Sequence, residues 1–473
     1  MKRRNSYEID MINGPLLGKI IRFSFSLMMT NMLQLLYNAA DLIVVGQFSS
    51  SDTAVGAIGA TGSLTSLIVN AFIGLSVGAS VLVARGYGRG DREATHKAVH
   101  TSISVALIAG FLVAAIGLIF SRTFLGWMGT QDTIIAQSTL YMQLYFIGAP
   151  FNMVYNFGSS VLRATGDTKR PFYFLAFSGA VNVTLNVVFV LGFHMDVAGV
   201  ALATVISQVI SAVLVVLCLM HQHTMSRLEI RKLRIHKDIL SEMFRIGLPA
   251  CIQNSVFSLS NIMIQSSINS FDAGLATAPY ANGSAASSNI EAFINMSMNS
   301  LYHAALNFTG QNYAAGKYRR TRKIFAQCVA CVAVVGVILG SVGMLFGKQL
   351  LSIYIPRNPE AVDIGFRRLS ILCFTYLICG VMDVLVGQLR GLGHSTVPMV
   401  VSIVGVCGFR ILWIQTFFAI PKFHTWEILF LAYPISWILT SIAHYICYLI
   451  IGRKFPKEDT PSEQVSEPAA VSL

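Results

Sequence analysis

Asp41 has the strongest chemical claim in this chain. It lies in a long apolar stretch, and Asn31, Gln34 and Asn38 precede it at steps that place all four on one helical face. A carboxylate at bilayer depth costs about 2.5–3.5 kcal/mol on insertion scales, so it must face helices or water rather than lipid. Such a stripe suits binding and release of a cation or a proton. The plainer alternative is a buried Asp satisfied by Asn and Ser neighbours. Further along, Asn152 and Asn156 share a face, as do Asn182 and Asn186, with Thr184 nearby. Together with Tyr37 these residues could line a polar pocket around Asp41. Any one Asn taken alone is better explained by an inter-helix hydrogen bond, worth about 0.6 kcal/mol.

The second half carries a related but different set. Asn254, Ser258, Asn261 and Gln265 repeat the stripe, with Ile264 where Asp41 would fall. Its charges lie elsewhere. Glu291 heads a face with Asn295 and Asn299, and His303 follows one turn on, which makes Glu291 a second candidate for cation or proton binding. Asp383 and Arg410 are expected to form a buried ion pair, because the internal repeat sets them at or beside Asn156 and Asn182.

These residues need a membrane scaffold. Of 473 residues 54% are hydrophobic and only 12% charged, with mean hydropathy +0.63. That composition describes a polytopic membrane protein. Apolar segments of spanning length recur at 15–46, 54–84, 98–120, 134–161, 171–193 and 197–220, then at 241–271, 280–312, 324–346, 366–389, 396–420 and 427–451. The fold class is therefore all-α, with twelve transmembrane helices. The domains read as an N-terminal lobe 1–220, a basic connector 221–240, a C-terminal lobe 241–453 and a polar tail 454–473 that reads as disordered.

Charge placement gives the orientation. With the N-terminus inside, the termini and even-numbered connections hold 27 of the 34 basic residues, including Arg85, Arg89, Arg92, Lys97 and the cluster Arg231–Lys237. The other side holds Arg122, Lys348, Arg357, Arg367, Arg368 and Lys422, and Arg410 lies within a span. Both termini are expected in the cytoplasm, and no cleaved leader is expected. The net charge of +12 thus points to basic cytoplasmic connections and not to nucleic acid.

The chain also repeats itself. Arg22-Phe23-Ser24 and Asn31 match Arg245-Ile246-Gly247 and Asn254 at an offset of 223. Tyr87-Gly88-Arg89-Gly90-Asp91 matches Tyr313 to Lys317, and both read as tight loops. Leu162-Arg163-Ala164-Thr165-Gly166 matches Leu389-Arg390-Gly391-Leu392-Gly393 at an offset of 227. Each half has an even number of spans, so the halves share one orientation, related by a pseudo-two-fold axis along the membrane normal. No P-loop, zincin or nucleophile-elbow motif is present, so neither direct ATP use nor an enzyme is supported. Cys328-x-x-Cys331 lacks a second pair or nearby His, and packing is the expected role of all eight cysteines.

The chain resembles the multidrug and toxic compound extrusion (MATE) family, especially the bacterial branch related to DNA-damage-inducible and Na⁺-driven efflux proteins. Asn38-Ala39-Ala40-Asp41-Leu42-Ile43-Val44-Val45-Gly46, the run Gly310-Gln311-Asn312 ahead of Ala315-Gly316-Lys317, and the two Leu-Arg-x-x-Gly motifs carry the resemblance, which extends over about 14–453. It implies a secondary antiporter in the cytoplasmic membrane, exporting organic, often cationic, compounds in exchange for H⁺ or Na⁺. No cofactor is implied beyond the coupling ion, and a monomer is expected. By the resemblance Asp41 is the coupling residue and would be the metal ligand if the ion is Na⁺, with Asn182 accompanying it. Three positions depart from the family. Ser26 replaces a first-helix Pro common among relatives, although Pro249 is kept in the second half. Asn186 stands where some relatives carry a second Asp, and the acid some Na⁺-coupled relatives place on the seventh helix has no counterpart between Pro249 and Gln265. Tyr37, Met28, Met32, Phe151, Tyr155 and Phe257 suit an adaptable apolar cavity. A flippase or exporter of lipid-linked or amphipathic metabolites is the rival reading, and it calls for a basic cavity, for which Arg410 is the one evident contributor.

Overall fold

The computed structural model describes residues 7–48, 54–273, 275, 277–356, 358–454, 456 and 459, excepting the side chains at 38, 39, 42, 43, 45–48, 54–57, 59, 63 and 67. The side chain of Asn38, Arg357 and the tail from 460 onward lie outside the described residues.

Twelve spans follow from the order of helices. The first three are α1 (Leu17–Phe48), α2 (Ala54–Arg89) and α3 (Arg92–Trp127). The fourth is a pair, α4 (Asp132–Ile147) and α5 (Ala149–Ala164). The fifth, α6 (Lys169–Val187), runs into a π-helical turn at Val188–Gly192, and α7 (Asp196–Met220) is the sixth. The second half begins with α8 (Lys237–Phe271), α9 (Pro279–Ala314) and α10 (Tyr318–Tyr354). Its fourth span is again a pair, α11 (Pro359–Leu372) and α12 (Tyr376–Gly391), bent by 49°. Then come α13 (Thr396–Ser402), a π-helical turn at Ile403–Gly408, α14 (Phe409–Gln415) and α15 (Trp426–Arg453). No strand occurs among the described residues.

Among those residues seven helices, or eight counting the bent pair, are long and apolar enough to cross a membrane by length and composition. The helix α9 falls short because Ser284, Ser287, Ser297, Ser300, Asn307, Gln311 and Asn312 occupy its interior face. All seven are buried against neighbouring helices rather than turned to lipid.

The structure corrects the expected spans in two ways. The segments expected as continuous at 134–161 and 366–389 are both broken. At the first, Gly148 and Pro150 interrupt the ladder, since Pro lacks an N–H and crowds the preceding turn. At the second, the Thr375 hydroxyl donates to the carbonyls of Ile371 and Leu372, both at 3.0 Å, and opens the helix there. The loop expected at 87–91 is shorter than its glycines suggest. Helix α2 continues through Gly86 and Gly88 to Arg89, and only Gly90, at φ +71°, leaves the helix. Asp91 then caps α3 by accepting from the Ala94 N–H at 2.9 Å.

The chain divides into two compact units. Unit 1 comprises Met1–Asp10 with Met29–Cys251, and unit 2 comprises Met11–Met28 with Ile252–Leu473. Relative to a cut at the connector, the first turns of α1 belong to unit 2 and the first turns of α8 to unit 1. The two crossover points are 223 residues apart, the same offset as the sequence repeat. In unit 2 the ring of Phe23 on α1 meets Phe308 on α9 edge-on at 5.6 Å. In unit 1 Gly78 lets α2 approach α8 so closely that an added Cβ would lie 2.3 Å from the Met243 carbonyl oxygen.

The Leu-Arg-x-x-Gly turn after α5 shows why its residues are needed. Gly166 has φ +99°, and an added Cβ would meet the Ile9 carbonyl oxygen at 2.5 Å. Asp167, fully buried, accepts from the Arg170 backbone N–H at 3.1 Å and pairs with its guanidinium. Asp167→Ala strips α6 of this cap and leaves Arg170 unpaired. It is expected to cost about 2–3 kcal/mol, read as a lower melting temperature of the detergent-solubilised protein, with Asp167→Asn falling between the two.

Candidate functional site

Unit 1 gathers the polar residues around Asp41. Asn186, fully buried on α6, donates through Nδ2 to Asp41 Oδ1 at 2.5 Å. The same amide reaches Asn182 Oδ1 at 3.3 Å, and Asn182 donates to Thr204 Oγ1 at 3.5 Å. Thr204, on α7, is a second polar neighbour of Asp41, with its hydroxyl donating to the Val200 carbonyl at 3.0 Å. The phenols of Tyr141 and Tyr145 on α4 lie within range of its charge. An apolar layer of buried residues, Val44, Ile58, Tyr141, Val190, Val197, Val200 and Ala201, packs in the same unit. Among the described residues no Lys, Arg or His pairs with Asp41.

The other candidates of this half are placed separately. The Tyr37 hydroxyl donates to the Leu175 carbonyl at 2.7 Å, which ties α1 to α6 one turn before Asp41. Gly179 makes that contact possible, because a Cβ there would lie 1.6 Å from Tyr37 Cζ. Gly179→Ala must displace the ring and is expected to destabilise the protein by about 1–3 kcal/mol, visible as reduced thermal stability that Tyr37→Ala in the same chain partly restores. Asn156 turns to its own helix, donating to Asn152 Oδ1 at 2.7 Å. Gln34 is exposed within unit 1. Neither is bonded to Asp41.

Sequence reasoning missed Thr204, Tyr141 and Tyr145. The signal for Thr204 was present, since Thr204, Ser207, Gln208 and Ser211 recur at helical steps along α7. The tyrosines carry no comparable mark, because an aromatic in an apolar span ordinarily packs.

Unit 2 arranges its charges differently from expectation. Glu291 is held by Arg368, which donates from Nε to Oε1 and from Nη2 to Oε2, both at 2.8 Å. Ser287 adds 2.8 Å and the Tyr376 hydroxyl 3.2 Å, and the guanidinium lies 4.8 Å from the centre of the Phe430 ring. Glu291 and Arg368 are 3% and 6% exposed, so this is a closed ion pair joining α9, α11 and α15. Arg368, assigned by sequence to a connection on the far side, is a core residue. The carboxylate offered as a cation site is thereby already neutralised.

The expected ion pair between Asp383 and Arg410 is not formed. Asp383 has no ion-pair partner among the described residues, and the nearest cationic influence on it is Arg390, two turns along α12. Arg390 itself bonds neutral groups through Nη1 and Nη2, the Tyr302 hydroxyl and Gln253 Oε1, each at 2.8 Å, and its Nε has no partner among the described residues. Arg410 donates through Nε to Ser436 Oγ at 3.2 Å and stacks 3.9 Å from the Tyr433 ring centre. The π turn at Ile403–Gly408 changes the helical phase just before Arg410 and turns it toward α15, which a regular 3.6-residue period could not foresee. Asn254 and Asn261, the remaining candidates, lie on α8. The Asn254 carbonyl accepts from Ser258 at 3.1 Å. The eight cysteines are free thiols, and no cluster of metal-ligating side chains occurs among the described residues.

Comparison with known proteins places this architecture. The family model described as MatE matches residues 26–188 and again 249–414, one copy in each half. The chain is 28% identical over 441 residues to the "Probable multidrug resistance protein YoeA" of Bacillus subtilis, covering 91% of this chain and 93% of that one. It is 22% identical over 407 residues to the "Multidrug export protein MepA" of Staphylococcus aureus, covering 85% and 87%. Among solved structures it superposes with a TM-score of 0.87 on an outward-facing multidrug resistance MATE transporter of the MOP superfamily, at 19% identity, covering 96% and 100%. A MOP superfamily transporter from Pyrococcus furiosus, described as having a binding pocket of reverse polarity, gives 0.88 at 18% identity, covering 96% and 100%. The duplicated MatE match over most of the chain, on an all-helical frame of twelve spans, shows that this multi-pass membrane protein belongs to the MATE family.

Proposed function

We propose that the chain is a secondary active multidrug exporter of the cytoplasmic membrane, monomeric and with both termini inside, which moves organic compounds outward against inward flow of H⁺ or Na⁺. Asp41 carries the coupling. The single observation behind this is a carboxylate in a membrane helix, hydrogen-bonded by Asn186 and neighboured by Thr204, with no cationic side chain to neutralise it. A structural carboxylate at that depth would be expected to have an ion-pair partner, as Glu291 does in unit 2. Asp41 instead has oxygen-rich neutral neighbours, which suit a proton on the carboxylate or a hard cation beside it. Occupancy by the ion drives alternating access only if it is bound with different affinity in the outward- and inward-open states.

The names of the relatives YoeA and MepA support efflux of several compounds as the function here. The test is uptake of a fluorescent cationic dye into everted membrane vesicles, with a pH gradient alone and then a Na⁺ gradient alone. Uptake under one gradient identifies the ion. Equal, gradient-independent equilibration under both would indicate a passive pathway and overturn the reading.

A further inference from the structure

We infer that Arg410 and the aromatic side chains around it form a subsite in unit 2 for an anionic group of the transported compound, so that the substrate range includes organic carboxylates and zwitterions. This rests on the exporter reading and names part of its substrate class.

Arg410 is 95% withdrawn from solvent, being 5% exposed. Its Nε is bonded to Ser436, but Nη1 and Nη2 carry no hydrogen bond among the described residues. The other two buried guanidiniums of unit 2 engage both Nη groups: Arg368 bonds Ser284 through Nη1 and Glu291 through Nη2, and Arg390 bonds Tyr302 and Gln253, although its Nε has no partner among the described residues. A buried charge without a countercharge is costly, and it persists where a partner arrives from outside the chain. Guanidinium suits that task because its planar fork matches a carboxylate or phosphate with two parallel hydrogen bonds.

The surroundings favour a ligand over a missing protein partner. Among the described residues no carboxylate of unit 2 pairs with Arg410: Glu291 is held by Arg368, and Asp383 forms no ion pair. The groups shown in contact with Arg410 are Ser436 and the rings of Tyr433 and Trp437. The Tyr433 ring lies 3.9 Å from the guanidinium and the Trp437 ring 5.7 Å, while Tyr376 and Trp437 are 5.2 Å apart. Stacking on Tyr433 fixes the plane of the fork, and its two Nη groups form no bond to the described residues. Aromatic faces beside a positive fork offer one surface to the flat body of an organic compound and another to its acid. The preceding π turn supplies the positioning, because a wider turn at Ile403–Gly408 alters the direction in which Arg410 projects.

The experiment measures direct binding to the purified, detergent-solubilised protein, so it does not depend on energised transport. Three probes share one fluorophore: dansylglycine (a carboxylate), its methyl ester (neutral) and dansylcadaverine (a cation). A dansyl-labelled phosphoethanolamine lipid forms a fourth arm that separates a lipid phosphate from a free organic acid. Wild type should bind dansylglycine about tenfold or more tightly than the ester, the scale of a charge-assisted bidentate contact. Arg410→Gln should remove that difference while changing affinity for the ester and for dansylcadaverine by less than about twofold. Arg410→Lys should keep part of the preference, since it retains charge without the fork. Acid and ester binding alike in wild type, or Arg410→Gln weakening all probes equally, would overturn the inference. Preference for the phosphate lipid over dansylglycine would overturn the assignment to a free organic acid. A protein that shows the Arg410-dependent preference but no gradient-driven transport would contradict the exporter reading and leave this subsite standing.

Discussion

Asp41→Asn is expected to abolish concentrative export without unfolding the protein. The substitution is nearly isosteric, and the new side chain still presents an oxygen to the Nδ2 of Asn186. It also removes a half-buried carboxylate without an ion-pair partner, so stability should hold or rise. What it loses is the charge that retains the coupling ion. For one-for-one electroneutral exchange, a tenfold ion gradient supplies about 1.4 kcal/mol, enough for about tenfold substrate accumulation. The variant should drop to no accumulation at all while passing size-exclusion and melting tests like wild type. Asn186→Ala should give an intermediate loss, because the carboxylate remains but its donor is gone. Undiminished accumulation in Asp41→Asn would move coupling away from unit 1, with Asp383 as the acid left unpaired in unit 2.

The second large effect concerns folding. Glu291→Ala leaves Arg368 charged, buried and stripped of its bidentate partner. Breaking such a pair costs about 3–5 kcal/mol, a large part of the stability of most folded proteins. Folded yield should collapse and any recovered protein should melt markedly earlier. Arg368→Met alone should be similarly harmful, because it strands the Glu291 carboxylate. The double change Glu291→Met with Arg368→Met should recover most of the loss, since replacing both charges by apolar groups removes the desolvation penalty together with the attraction. A Glu291→Ala protein with normal yield and melting but no transport would instead make this pair functional rather than structural.

How far the sequence could be read depends on the kind of residue. Asp41 was legible because a lone carboxylate on a polar helical stripe has few reasons to exist in a membrane. Its partner Asn186 was legible from the stripe on its own helix. The Glu291–Arg368 pair was not, because its members lie 77 residues apart and Arg368 sits near the start of the apolar segment 366–389, where a basic residue ordinarily marks a water-exposed connection. Asp383 and Arg410 were misjudged because the repeat fixes which helices are equivalent but not the rotation of each. A π turn alters the phase before Arg410, and a one-residue change rotates a side chain by about 100°. The span count was legible from hydropathy, whereas the breaks at Gly148 and at Thr375 depend on local hydrogen bonding that hydropathy does not record. The exchanged first turns of α1 and α8 likewise depend on which neighbours a continuous helix meets along its length.

The most direct test of the account is whether substrate and coupling ion are linked at Asp41. Purified protein would be titrated with a cationic dye in lightly buffered solution, with proton release recorded potentiometrically and Na⁺ binding followed by calorimetry. The account predicts that dye binding displaces one kind of ion, that raising that ion weakens dye binding in turn, and that both effects vanish in Asp41→Asn while dye binding itself persists. Ion displacement that survives in Asp41→Asn, or dye binding indifferent to both ions in the wild type, would contradict it.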